Sequence, residues 1–150
     1  MESLSAQVLA ALLERDETVA CAESLTGGSL AVVLTAAPGS SATVRGGVVS
    51  YATEVKRELL GVTADMVVSG ECAEQMAEGV RSRLGATWGV STTGVAGPDT
   101  QEGQPVGTVF VGVAGPGVTR VRRLALTGNR EAIRAATVTA ALESLADALA

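Results

Sequence analysis

Short apolar runs that close in small-residue turns alternate with segments of helical period along this chain, and that order restricts its fold more than any other feature. Leu4, Val8, Ala11 and Leu12 follow the spacing of an amphipathic helix over 3–14. The run 18–22 suits a buried strand, and 29–37 then has helical composition until Pro38-Gly39 stops it. A second strand is predicted over 46–51, followed by a short helix over 54–60 ended by Gly61. Cys72, Met76, Val80 and Leu84 recur every fourth residue and mark a helix over 71–84 with Gly85 as its stop. Residues 88–92 read as a third buried strand, 99–106 as a polar surface loop, and 108–113 with 119–126 as a hairpin turned at Gly115-Pro116-Gly117. Asn129 is placed to cap a last helix whose Val138, Leu142, Leu145 and Leu149 form one stripe. The expected fold is α/β: a three-layer α/β/α sandwich with a mixed, mostly parallel sheet, as one domain over 1–150 without repeat or linker.

Composition narrows the partners. Hydrophobic residues make up 47% of the chain but include one Trp, one Tyr and one Phe, so the core must be built from Ala, Val and Leu. So apolar a chain predicts an extra buried face and hence a homo-oligomer. A net charge of -5 argues against nucleic acid as a partner, because phosphate backbones are held by clustered Lys and Arg. Arg120, Arg122 and Arg123 alternate along an expected strand and read as a solvated sheet face. No window is long and apolar enough for a membrane span, and the N-terminus lacks the pattern of a signal peptide, so a cytoplasmic location is expected. Cys21 and Cys72 are expected as buried free thiols. With no histidine and no CxxC pair, the sequence offers no zinc site, and no metal or cofactor is expected.

Ligands of open α/β sheets bind beyond the carboxyl ends of strands, and three segments with chemical potential fall at such ends. The first is Ala22-Glu23-Ser24-Leu25-Thr26-Gly27-Gly28, which offers a hydroxyl nucleophile and flexible backbone amides at Thr26, Gly27 and Gly28. A plainer reading has Ser24 or Thr26 capping the following helix. The second segment carries Tyr51 and Lys56, the only tyrosine and the only lysine of the chain. Every other basic residue is arginine, which does not release its proton near neutral pH, whereas lysine and tyrosine can. A serine without histidine needs another proton acceptor: a lysine whose affinity for the proton falls on burial, or a tyrosine held by a cation. The choice between Lys56 and Tyr51 stays open at this point, as do the plainer readings of a solvated helix lysine and an amphipathic strand-end tyrosine. The third segment, Thr93-Gly94-Val95-Ala96-Gly97-Pro98-Asp99, is suited to wall a pocket or to offer amides to a phosphate; the motif is weak alone and also fits a plain turn.

These runs, with Pro38-Gly39-Ser40-Ser41, Gly47 to Tyr51, Glu54 and Pro105-Val106-Gly107-Thr108-Val109, give the chain a sequence that resembles the CinA C-terminal domain family from about residue 5 to 147. The resemblance implies a nicotinamide-nucleotide amidohydrolase, which converts nicotinamide mononucleotide to nicotinate mononucleotide and ammonia. It implies Ser24 as nucleophile with Tyr51 and Lys56 at the other catalytic positions, and a small nucleotide as the partner. Candidate substrate contacts are Thr26, Gly27, Gly28, Thr93, Gly94, Ala96, Gly97, Arg130 and Arg134. The sequence departs from the family pattern in a shorter segment between Leu60 and Val68, in Leu25 where cysteine is common, and in Asn129 where aspartate often precedes the last helix. Longer relatives carry a separate N-terminal domain not found in this sequence. A non-enzymatic nucleotide-binding or assembly domain, and an amidase for another small amide, are the alternative readings.

Overall fold

The computed structural model describes residues 3–150. Its elements follow the order α1 (Leu4–Arg15), β1 (Val19–Glu23), α2 (Ser29–Ala36), α3 (Ser40–Thr43), β2 (Val44–Val49), α4 (Thr53–Leu60), α5 (Gly70–Arg83), β3 (Trp88–Gly94), β4 (Thr108–Gly115), β5 (Val118–Ala125) and α6 (Arg130–Leu149). The strands form one sheet in the order β2-β1-β3-β4-β5. β1 runs parallel to both β2 and β3, while β4 is antiparallel to β3 and to β5. Four strands therefore point one way and β4 alone opposes them, which is the mixed, mostly parallel sheet expected from the sequence.

β1 shows how the layers are divided. All five of its residues are buried, and they alternate between two cores. Val19 and Cys21 face the cluster built with Val8, Leu9 and Leu12 of α1, Leu30 and Leu34 of α2, and Ile133 and Leu145 of α6. Ala20 and Ala22 face the opposite cluster, with Leu60 of α4 and Cys72, Met76 and Val80 of α5. A strand covered on both faces carries no polar face, which is why 18–22 reads as a continuous apolar run. Cys21 and Cys72 fall in different cores, so the sheet separates two buried free thiols. Burial pushes both thiols up, Cys21 to about 12 and Cys72 to about 11.

With so few aromatics, the layers approach closely on glycine. A Cβ at Gly89 of β3 would collide with the carbonyl of Ala77, and one at Gly112 of β4 with the carbonyl of Ala73, both on α5. Ser91 of β3 closes the same seam by donating its hydroxyl to the Ala73 carbonyl at 2.5 Å. Two glycines and a serine thus seat α5 directly on the backbone of the central strands.

Three details extend what the sequence indicates. The stretch after Pro38-Gly39 forms the short α3, so β2 starts at Val44 rather than at residue 46. The 99–106 loop contains a tight turn in which Glu102 and Gly103 both take positive φ (53° and 73°) between paired Gln101 and Gln104. Asn129 caps α6 as expected, accepting from the Ala132 amide at 2.9 Å. Arg120, Arg122 and Arg123 are exposed on β5; Arg122 pairs with Glu143 at 3.2 Å and Arg123 lies 5.8 Å from the Phe110 ring. Among the described residues, no helix is long and apolar enough to cross a membrane.

Gly89→Ala is expected to lower unfolding free energy by roughly 1–3 kcal/mol in urea denaturation, because the added methyl must displace the α5 backbone. A change within about 0.5 kcal/mol, the range of neutral surface substitutions, would show that α5 is not seated by this contact.

Candidate active site

The parallel pair β1–β3 ends with Ser24 held against β3: its amide donates to the Thr92 carbonyl at 3.1 Å, continuing the ladder one residue beyond β1. The Ser24 carbonyl accepts from the Gly27 amide at 3.1 Å, which closes the turn. Both backbone groups of Ser24 are therefore fixed, and its hydroxyl makes none of the bonds that hold the turn. The residue is 9% exposed and lines a cleft of about 420 Å³.

Neither Ser24 nor Thr26 caps α2. The N-cap is Gly28, which has no side chain to offer, and Thr26 is fully buried with its hydroxyl on that of Thr92 at 2.8 Å. The capping is done by Glu23, whose carboxylate accepts from the amides of Leu30 (2.8 Å) and Ala31 (3.0 Å). The plainer reading of Ser24 as a helix cap is thereby corrected. A cap supplied from so far upstream carries no local sequence signal, and Glu23 is the residue that reading the sequence missed.

Lys56 is 2% exposed and stands on the cleft-facing side of α4. Its Nζ donates to the carbonyls of Ser50 (2.8 Å) and Tyr51 (3.2 Å). A neutral amine satisfied by two acceptors keeps one tetrahedral position for its lone pair. Burial pushes Lys56 below the ordinary lysine value of 10.5, against the opposing influence of Cys72 and Glu102. The solvated-lysine reading does not hold for this side chain.

Tyr51 is exposed, and its phenol oxygen accepts from Arg130 at 2.9 Å. The same guanidinium donates to the Gly97 carbonyl at 2.7 Å, so Arg130 joins the start of α6, the loop after β3 and Tyr51. The end of β3 supplies Thr93 and Gly94 to the cleft and that loop supplies Ala96, Gly97 and Asp99, with a cis bond between Gly97 and Pro98. A further part of the wall is Val67 and Val68, at the end of the segment expected from the sequence to be short. It is pinned by Glu102, which accepts from the amides of Val67 (3.0 Å) and Val68 (2.7 Å), and by Thr93, whose hydroxyl donates to the Val67 carbonyl at 2.7 Å.

The fold thus brings Ser24, Tyr51, Lys56, Thr93, Gly94, Ala96, Gly97 and Arg130 to one cleft. Four residues expected at the substrate stand outside its lining: Thr26, Gly27, Gly28 and Arg134. Thr26 is spent on Thr92, and the Gly27 amide on Ser24. Arg134 braces the turn from behind, donating to the carbonyls of Leu25 (2.9 Å) and Thr26 (3.4 Å), and a Cβ at Gly27 would lie 2.8 Å from its guanidinium. Gly28 faces Val49.

An α/β sandwich with a hydroxyl, a buried lysine and an arginine-held tyrosine beyond its strand ends defines a histidine-free polar-site domain. Residues 1–149 match the CinA C-terminal domain, and the chain belongs to that family. A "CinA-like protein" of Frankia casuarinae is 54% identical over 147 residues, and one of Gemmatimonas aurantiaca is 49% identical over 156 residues. These alignments take in 95% and 99% of this chain but 34% and 36% of the relatives, so the chain spans about a third of their length. Among solved structures, the competence damage-inducible protein A (ComA) of Klebsiella pneumoniae subsp. pneumoniae MGH 78578 superposes with a TM-score of 0.92 at 36% identity, covering 97% of this chain and 94% of that one. The CinA superfamily protein of Enterobacter cloacae gives 0.95 at 27% identity, covering 98% and 90%.

A lowered lysine value has a defined effect on stability. Between the folded value of Lys56 and 10.5, the unfolded chain binds a proton that the folded chain does not, so stability rises with pH across that window. Urea titrations of the wild-type chain and of Lys56→Met should therefore show a difference that shifts in favour of the wild type as pH climbs to 10.5 and levels above it. A difference that stays constant from neutral pH to 10.5 would refute the buried, proton-poor lysine.

Proposed function

We propose that this domain is a serine amidase acting on a pyridine nucleotide, hydrolysing the carboxamide of nicotinamide mononucleotide to nicotinate mononucleotide and ammonia. The observation that carries the reading is a serine hydroxyl left free at the cleft by a fully committed backbone, sharing that cleft with a buried lysine held by two backbone carbonyls. Family resemblance selects the substrate; the residues select the chemistry.

In the proposed sequence Ser24 Oγ attacks the carboxamide carbon while Lys56 Nζ takes its proton. The negative charge that develops on the carbonyl oxygen calls for a backbone donor. The amide of Leu25, on the residue after the nucleophile and on the cleft wall, is the candidate in place of Gly27. Collapse of the tetrahedral species breaks the C–N bond, and the proton on Lys56 leaves with the nitrogen as ammonia, leaving an ester on Ser24. Water then attacks that ester, giving one proton to Lys56, which returns it to Ser24 as the carboxylic acid departs and loses its remaining proton to solvent. Tyr51 is oriented by Arg130 at the mouth and serves as the second proton carrier. Arg130 is the one arginine among the described lining residues and is the proposed partner of the substrate phosphate.

Ammonia release from nicotinamide mononucleotide, followed by a coupled assay, tests the reading. Ser24→Ala should abolish release, and Lys56→Arg, which keeps charge but cannot act as a base, should cost about 10²–10⁴-fold in kcat. Near-normal turnover by Lys56→Arg would move the base role to Tyr51. Nucleotide binding without release by a folded wild-type chain would instead establish the binding-domain alternative.

A further inference from the structure

We infer that Glu23 is a positioning residue for the nucleophile, holding the Ser24 turn through α2 and the Lys56 amine through β2. This rests on the serine-amidase reading above. Glu23 is 1% exposed and ends β1, in register with Val49 of β2. Its side chain folds over the turn that follows it, with each carboxylate oxygen on one amide of the first turn of α2. Residues 24–29 are therefore closed into a loop whose two ends are joined by one side chain. The buried charge pairs with no cation among the described residues; it is matched by the α2 amides and the positive end of the helix dipole. The Cys21 thiol, 4.0 Å from Oε2, is the remaining neighbour.

The backbone of the same residue reaches the other half of the machinery. The Glu23 carbonyl accepts from the Ser50 amide at 2.7 Å and from the Ser50 hydroxyl at 3.2 Å. The Ser50 carbonyl in turn accepts from Lys56 Nζ at 2.8 Å. A continuous line of bonds thus runs from α2 through Glu23 and Ser50 to the proposed base, with Ser24 attached to Glu23 by one peptide bond. Loosening the side-chain clamp removes the tie between the turn that presents Ser24 and α2, while Glu23 makes no bond to the binding wall of 93–99.

Isosteric Glu23→Gln tests this. It keeps size and one acceptor but sets an amide NH₂ against a helix N–H, leaving two donors facing each other. Glu23→Asp, a methylene shorter, provides a second variant with the charge retained. Both should lower kcat for ammonia release by about 10²-fold, the effect of a nucleophile misplaced by about 1 Å. KM should move less than about threefold, since an effect confined to kcat marks loss of a transition-state arrangement. Hydrogen–deuterium exchange of peptides covering 24–31 should accelerate by about tenfold or more while β4 and α6 keep wild-type rates, because the opening is local. Wild-type kcat with wild-type exchange overturns the inference. So does acceleration spread evenly over all peptides, which marks global destabilisation alone. Should the wild type release no ammonia, the amidase reading falls, and unchanged exchange of 24–31 would separately refute the clamp.

Discussion

The structure depends on the parallel pairing of β1 with β3 at the centre of a sheet covered on both faces. Because both strands are buried, their hydrogen bonds are shielded and their register is fixed by two apolar cores at once. That register places the residue after β1 beside Thr92, and the ladder runs on into the turn through the Ser24 amide. The site is thus an extension of the sheet's own bonding. The glycine seam under α5 serves the same arrangement: with side chains removed at Gly89 and Gly112, the helix sits against the strands whose ends form the cleft.

The electrostatics follow from that burial. One carboxylate, Glu23, is withdrawn from water and compensated by helix amides; one ammonium, Lys56, is withdrawn and left with two neutral carbonyls. The two cases differ in outcome. Glu23 has both carboxylate oxygens matched by amide donors, whereas burial of Lys56 outweighs the nearby negative charge and pushes it below the ordinary lysine value. A fold without histidine can obtain a proton acceptor in this way, by controlling solvent access to a lysine. The cost is that the amine must be held by backbone carbonyls, which ties its position to the end of β2.

How far these features were legible in the sequence depended on the range of the interaction. The strands, the long helices and the Asn129 cap are signalled by residues within a turn or two of one another, and they were read within a few residues of their observed ends. Tyr51 and Lys56 were legible because each is the sole residue of its type, and Ser24 because it stands in a glycine-closed turn at a strand end. Thr26, Gly27, Gly28 and Arg134 look the same in sequence as true lining residues, since nothing local shows that their polar groups are spent on Thr92, Ser24 and Leu25. Glu23 and Glu102 were missed for the same reason: each accepts from backbone amides of another segment, and a glutamate in an exposed-looking turn gives no hint of it.

Both walls of the cleft are held by such remote contacts, and the segment between Leu60 and Val68 shows it most fully. Its backbone is bonded from outside: Gln75 accepts from the amides of Thr63 and Ala64, Glu102 from those of Val67 and Val68, and Thr93 donates to the Val67 carbonyl. Glu102 belongs to the loop that carries Asp99 to Gln101 on the cleft rim, so it joins two walls that are distant in sequence. Val67 and Val68 add apolar side chains to the cleft that Lys56 also lines, and burial pushes Lys56 below the ordinary lysine value, as the proposed chemistry requires.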